Sequence, residues 1–431
     1  MAENPTGALR NPNFRKFWIG ETLSLLGTEV TRFALPLIAV LTLSASAFEV
    51  GLLNAMRYVP IVIVSLFAGI WLDRRRRLPV LVASNVGRAI CIGLVPLLVV
   101  FDSLTLWVLC LVALALGTLT VLFDVGSLSF VPSVVDRTQL PDANGRLQAS
   151  FSLAMIVGPG LGGFLVAALT APVTLAVDAL SYAVSVVLLL SIRIREPEPD
   201  VPAIRPTVRE SIAEGLRAVF GNAVLRNLLT QSATFNLAQN AMLTVFVLYT
   251  VRGLGLSAQQ LGLVLGLGSL GSFAGALLAN RITRRVGYGR MLRAATIVAG
   301  LAPLMFLAAR GPDLGSVAVL TAAYGVAGFM LVIYNVNTVS LRQVVTPNRL
   351  LARMNASYRM VLFGTIPLGA LLGGTLAQYL GLRPAMTITV VLLTSPIAWT
   401  FFSPVFRLPA LPTGPDATLV AAPAPAPAAK A

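Results

Sequence analysis

The sequence states one pattern twice, at a fixed spacing of 211 residues: Asn11 and Arg15 return as Asn222 and Arg226. Ser46-Ala47 returns as Ser257-Ala258, and Gly51-Leu52 as Gly262-Leu263. Further along, Asn144 returns as Asn355, and Gly162-Gly163 as Gly373-Gly374. The register never slips, through loops or through apolar stretches. Two copies of one unit fold alike, so the chain must build two similar halves.

Hydrophobic residues are 56% of the chain and charged residues 11%, against roughly 45–50% and 25% in soluble proteins. The apolar residues gather into twelve runs, at 17–43, 49–72, 78–100, 104–126, 144–168, 172–192, 226–250, 258–282, 289–308, 314–337, 353–379 and 383–403. Each is close to the ~20 residues needed to cross a bilayer. Buried helices of a soluble domain supply one or two such runs, not twelve. The expected fold is therefore an all-α membrane protein, with twelve transmembrane helices in two six-helix pseudo-symmetric halves, 1–192 and 226–403. A linker at 193–225 joins them, and a Pro/Ala-rich tail at 404–431 is expected to be disordered. In the linker, Val208, Ile212, Leu216 and Val219 fall on one helical face, which predicts an amphipathic helix on the cytoplasmic surface.

The net charge of +15 reports topology rather than a nucleic-acid partner. Twenty-five of the 32 basic residues sit at the termini, in the central linker and in every second loop, among them Arg74 to Arg77 and Arg281, Arg284 and Arg285. The alternate loops hold only Arg252, Arg310 and Arg383. Basic loops stay in the cytoplasm, so both termini are expected there, with the chain in the cell's inner membrane. Cys91 and Cys110 fall inside spans and imply no disulfide framework. There is no histidine, and no Gly-Lys-Ser/Thr phosphate loop. An enzyme, a metal centre, a bound cofactor and an ATP-driven pump are all unsupported.

Between spans 2 and 3 the chain reads Gly69-Ile-Trp-Leu-Asp73-Arg74-Arg-Arg-Arg77. It resembles the signature loop of the major facilitator superfamily, in which the loop latches the two halves and governs switching. The second glycine of that pattern is Arg76 here, and the repeat copy around Arg284 keeps Gly287 but loses the acid. In span 5, Gly158-Pro159-Gly-Leu-Gly162-Gly163 resembles the Gly-Pro signature of the superfamily's exporter branches, a hinge or simply close small-residue packing. Asp124-Val, Val131-Pro132-Ser and Val177-Asp178-Ala-Leu-Ser look like bacterial permeases related to enterobactin and macrolide exporters. One departure is span 4, which reads Ala113-Leu-Ala-Leu-Gly117 and lacks the arginine found there in many drug/proton antiporters.

Charges inside the spans are the functional candidates, because ionised groups in hydrocarbon need a partner or a water-filled cavity. They are Glu21, Glu29, Arg32, Arg57, Arg88, Asp124, Asp178 and Arg359. Glu29 lies ~18 Å into span 1 at ~1.5 Å per residue, with Arg32 one turn further on. It reads either as a proton-coupling carboxyl or as the structural partner of Arg32. Asp124 reads as a gating, capping or binding group. Asp178, in a span peripheral in this family, reads as structural, with Arg57 and Arg88 as its partners. The second half offers amides instead: Asn236, Gln239 and Asn240 in span 7, Asn335 and Asn337 in span 10. These either line a substrate cavity or bind helix to helix. Phe33, Phe123, Phe235 and Phe246 are candidates for its apolar surface.

The resemblance implies a secondary transporter in which two halves rock around a mid-membrane site. The expected partners are an amphipathic small molecule, protons and the lipid bilayer, with no cofactor, no nucleic acid and one copy of the chain as the working unit. Proton-coupled efflux is the expected activity. An importer or uniporter, and a non-transporting receptor on a permease frame, are the alternatives.

Overall fold

The computed structural model describes residues 7–72, 75–194, 208–347 and 350–408. The long helices are α1 (Pro12–Leu41), α2 (Ala47–Leu72), α3 (Arg77–Val100), α4 (Leu106–Val134), α5 (Leu140–Leu169) and α6 (Ala171–Leu190). A shorter α7 (Val208–Gly221) follows. The second set is α8 (Ala223–Leu248), α9 (Ala258–Val286), α10 (Tyr288–Leu301), α11 (Leu314–Val345), α12 (Leu351–Leu380) and α13 (Leu382–Leu392). Helical turns carry α10 on to Ala308 and α13 on to Phe402.

Among the described residues ten helices are long and apolar enough to cross a membrane, and α5 makes an eleventh if its bent halves count as one span. Twelve were expected from the sequence. The difference is α8, which has the length but carries Gln231, Asn236, Gln239 and Asn240 along its course.

The 211-residue repeat is a structural one. Asn11 caps α1 by accepting from the Asn13 and Phe14 amides, and Asn222 caps α8 by accepting from those of Val224 and Leu225. Ser46 and Glu49 exchange backbone and side-chain bonds at the start of α2, and Ser257 and Gln260 do the same at α9. Such reciprocal caps satisfy backbone donors that the first helical turn leaves open. Packing repeats as well. In the first set α1 lies against α5 and α6, and α4 against α2 and α3; in the second α8 lies against α12 and α13, and α11 against α9 and α10.

The start of α1 shares an end of the bundle with the ends of α4 and α6, since Asn11 Nδ2 donates to the Val134 carbonyl at 2.6 Å and Lys16 Nζ to the Ser191 carbonyl at 2.7 Å. The two sets meet mainly through α2 on α12 and α5 on α9, and the tightest points lie towards the opposite end. There Gly262 faces Gly163 so closely that a Cβ added to Gly262 would stand 2.5 Å from the Gly163 Cα. The repeat-related pair is Gly51 and Gly374, where an added Cβ on either would stand 3.1 Å from the other's Cα. Missing side chains let these backbones touch, which is how helices gain contact in lipid.

The amphipathic helix forms, and it packs on α12 and α8 with Val219 buried. Residues 404–408, expected to begin the tail, instead dock on α10. Gly289 N donates to the Leu408 carbonyl at 2.8 Å, Arg293 Nη2 donates to that of Phe406 at 3.2 Å, and Val405 and Phe406 are buried. The rest of the tail lies outside the described residues.

Candidate functional site

Glu29 and Arg32 stand one turn apart on α1, so a 3.6-residue helix brings them to one face. Glu29 is 6% exposed, and its Oε1 pairs with Arg32 Nη1 at 3.1 Å. The Arg32 side chain is 40% exposed, so the pair joins a buried carboxylate to a cation that reaches open space. The same Nη1 lies 3.7 Å from Met155 Sδ on α5, while the buried Nε makes no hydrogen bond among the described residues.

The seat of the pair is made by glycines. A Cβ at Gly158 would overlap the Cβ of Glu29, and one at Gly162 would come within 3.1 Å of the Phe33 Cβ. Four residues separate both the glycines and the side chains they receive, so a groove on α5 takes a ridge on α1. The other face of α5 meets the second half: Gly163 touches Gly262, and a Cβ added to Gly266 would stand 2.8 Å from the Gly160 Cα. One Gly-rich stretch thus seats the ion pair and also forms the contact between halves. Beside it α5 bends by 44° between Met155 and Val157. Pro159 supplies the cause, since it has no N–H for the Met155 carbonyl and its ring crowds that oxygen.

Other charges surround this pair. Arg57 on α2 lies within electrostatic reach of Glu29 and Arg32, with its guanidinium carbon 5.8 Å from the Tyr58 ring centre. Tyr324 on α11, from the other half, is within reach of both Glu29 and Arg32. Asp124 is exposed and makes no hydrogen bond or ion pair among the described residues. It lies in the field of Arg88, of Arg32 and, across the halves, of the exposed Arg359 on α12. Glu21 shares that field, and its buried Oε2 makes no hydrogen bond among the described residues. Sequence reading missed Tyr324, because a tyrosine in an apolar run carries no signal of what it faces.

Arg88 and Asp178 do not form the expected ion pair. Asp178 is buried and accepts from Thr31 Oγ1 and, at 3.0 Å, from Ser181 Oγ. Arg88 is buried too, and donates to Asn85 Oδ1 at 3.1 Å and to the Leu119 and Thr120 carbonyls at 3.3 Å, over the Phe123 ring at 4.4 Å. Hydroxyls and helix carbonyls hold both charges, a solution open only to groups that tertiary packing brings together.

In the second half, amides mostly bind helices. Asn236 Nδ2 donates to the Leu362 carbonyl at 2.7 Å and to Thr365 Oγ1 at 3.1 Å, tying α8 to α12. Asn240 donates back to Asn236, and buried Asn337 donates to Thr283 Oγ1 at 3.0 Å, tying α11 to α9. The Gln239 and Asn335 side chains make no hydrogen bond among the described residues, and Asn335 is exposed. Of the phenylalanines, Phe123 and Phe246 are core residues, each 1% exposed, so neither lines a cavity. Phe235 does: with Gln231, Thr296 and Tyr334 it lines a small cavity of about 20 Å³. Gln231 there donates to Thr296 Oγ1 at 3.1 Å and accepts from the Tyr334 hydroxyl at 3.0 Å.

At the far end a π-helical turn, Tyr249–Gly253, closes α8 and delivers Arg252 across the halves. Its Nη2 donates to the Val40 carbonyl at 2.9 Å, near the last turn of α1 where carbonyls lack helical partners. Of the expected latch, Gly69 falls in the last turn of α2 and Arg77 opens α3, while Asp73 and Arg74 lie outside the described residues.

Residues 17–366 match the family described as the Major Facilitator Superfamily. The multidrug efflux pump Tap of Mycolicibacterium fortuitum is 28% identical over 375 residues, which cover 83% of this chain and 87% of that protein. The enterobactin exporter EntS of Salmonella choleraesuis is 25% identical over 356 residues, covering 80% and 81%. Among solved structures, a mutant form of the nucleoside transporter NupG superposes with a TM-score of 0.70 at 16% identity, over 91% of this chain and 99% of that one. With two helix sets that repeat one packing scheme and a matched region spanning most of both, the chain belongs to the Major Facilitator Superfamily of membrane transporters.

Proposed function

We propose that this chain is a proton-coupled exporter of amphipathic small molecules, working by alternating access. The observation that carries it is the Glu29–Arg32 pair, seated on Gly158 beside the bend of α5, the helix whose other face forms the contact between halves. The names of Tap and EntS support the direction.

The arginine-rich loops support a cytoplasmic location for the end bearing the start of α1 and α7. The halves are then closed at the outer face by Gly163 on Gly262, Gly51 on Gly374 and Arg252 on Val40. Protonation of Glu29 removes the charge that holds Arg32. Arg32 Nη1 then rests only beside Met155 at the bend, and α1 can shift along the glycine groove of α5. A change in that groove reaches the α5–α9 contact directly, because both use the same turns of α5. Substrate binding and proton binding thus act on one bistable helix pair.

Purified protein in liposomes, loaded with the fluorescent amphiphile N-phenyl-1-naphthylamine and placed under an imposed pH gradient, tests this. Gradient-driven accumulation on the outer-face side supports the proposal. Equilibration regardless of the gradient supports a uniporter, accumulation in the opposite sense an importer, and no flux a receptor.

A further inference from the structure

In each half the first helix packs on the last two, yet its side-chain bonds go to different partners. α1 is tied to α6 along most of its length. Lys16 Nζ donates to the Ser191 carbonyl at 2.7 Å, the Thr28 and Tyr182 hydroxyls bond at 2.9 Å, and Thr31 Oγ1 donates to Asp178. Between these points the helices interlock. A Cβ added to Gly20 would stand 3.0 Å from Ser185 Oγ, and one at Gly27 would overlap the Asp178 carboxylate and Ser181 Oγ. Asp178, Tyr182 and Ser185 are each at most 2% exposed. Asn85 Nδ2 on α3 donates to the same Ser185 Oγ at 2.9 Å, which joins α3 to the pair. Towards α5, α1 has the Thr22–Ser150 hydroxyl pair at 2.8 Å and the Arg32–Met155 contact at 3.7 Å. Beyond these, Glu29 and Phe33 lie on the bare backbone of Gly158 and Gly162.

In the second half α8 is tied instead to α12, the counterpart of α5. Asn236 bonds to the Leu362 carbonyl and Thr365, and the Tyr358 hydroxyl donates to Ser232 Oγ at 3.1 Å. On the α13 side the described residues give one side-chain bond, from Trp399 Nε1 in the turns beyond that helix to Thr230 Oγ1 at 3.2 Å. An interlocked, hydrogen-bonded seam resists sliding, because a shift breaks several bonds at once and leaves their groups bare in apolar surroundings. A glycine groove raises no ridge to cross. We propose that α1 and α6, with α3 attached, move as one body, and that the slip within the first half lies between α1 and α5. The inference rests on the transport reading above, in which loss of the Glu29 charge frees α1, and names the helices that travel with it.

Two engineered disulfides test this, in a background with Cys91→Ala and Cys110→Ala. Gly20→Cys with Ser185→Cys joins α1 to α6, and Thr22→Cys with Ser150→Cys joins α1 to α5. The full chain in liposomes is oxidised with copper phenanthroline and assayed for gradient-driven accumulation of N-phenyl-1-naphthylamine. The α1–α6 bridge should leave accumulation intact. The α1–α5 bridge should abolish it, and dithiothreitol should restore it. A reversible loss of transport through the α1–α6 bridge, or continued transport through a complete α1–α5 bridge, would overturn the inference. A pair that does not transport even when reduced is read by its rate of bridge formation. Glu29→Gln should change that rate for the Thr22–Ser150 pair and leave it unchanged for the Gly20–Ser185 pair, and equal responses would count against the moving body as well. No accumulation by the unaltered protein would overturn the transport reading itself.

Discussion

Gly158 lies directly against Glu29, with no room for even a methyl group between the α5 backbone and the glutamate side chain. The residue type at 158 is therefore dictated by α1, not by α5. Gly145, on the same helix, has nothing within 4 Å of where its Cβ would be. The two glycines make an internal comparison.

Gly158→Ala should destabilise the protein by about 1–3 kcal/mol, as overpacking does, and should depress transport. Gly145→Ala should instead raise stability by about 0.5–1 kcal/mol, because it lowers backbone entropy in the unfolded chain. Thermal unfolding in detergent reads both. The same sign for the two substitutions would mean that α1 and α5 do not meet at Glu29.

Glu29→Gln should abolish gradient-driven export while sparing downhill exchange of a neutral amphiphile, since Gln keeps size and hydrogen bonding but cannot titrate. It also strands Arg32. The cost should be about 1–2 kcal/mol, below that of a fully buried pair, because solvent reaches the Arg32 side chain. Glu29→Gln combined with Arg32→Gln should recover folding alone. If the double variant also regains gradient-driven transport, Glu29 does not carry the coupled proton.

Gly163→Leu should prop the halves apart where Gly163 meets Gly262, and Gly374→Leu should do the same at Gly51. Each should expose the end of the bundle away from the start of α1. A cysteine at Ala45, which is buried there, should become reactive to a membrane-impermeant maleimide. Unchanged labelling would show that these glycines do not close that end.

Arg252→Gln should loosen the same end by removing the bond to the Val40 carbonyl, with little effect on overall stability because one exposed-end contact is lost. Double electron–electron resonance between labels on α1 and α8 should report a population shift towards the open distance. A distance distribution identical to that of the unaltered protein would assign Arg252 a purely local capping role.

Asp313 caps α11 in a connecting loop, accepting from the Ser316 amide at 2.9 Å and the Ser316 hydroxyl at 2.8 Å. The amide bond, then the hydroxyl bond, hold its pKa below the ordinary 3.8. A depressed carboxyl stabilises the fold above its unfolded pKa and loses that effect as pH falls through the folded value. Asp313→Ala should therefore lower Tm at neutral pH, and the gap to the unaltered protein should close in acid below 3.8. A gap that stays constant into acid would argue against a charged cap.

Much of the fold was legible because its punctuation is local. Asn11 and Asn222, or Ser46 and Ser257, form their caps with residues two or three positions away, so a repeat in sequence is a repeat in geometry. The Gly-Pro stretch of α5 was legible as a unit, but its two faces were not. Which glycine meets Glu29 and which meets α9 depends on where two other helices cross. Arg88 shows the same limit: a buried cation calls for a partner, yet Asn85 and two carbonyls of α4 serve where Asp178 was expected.

The sequence by itself determined the two-fold repeat, the long apolar helices and the positions of charge along them, because hydropathy and capping act within a few residues. Only the tertiary structure decided that Glu29 sits in a glycine groove, that Arg88 is held by Asn85 and helix carbonyls and that Arg252 spans the halves. Those outcomes depend on helix faces brought together from distant parts of the chain. In a bundle where many faces are equally apolar, backbone approach at small residues and the placement of a few polar groups select the pairing.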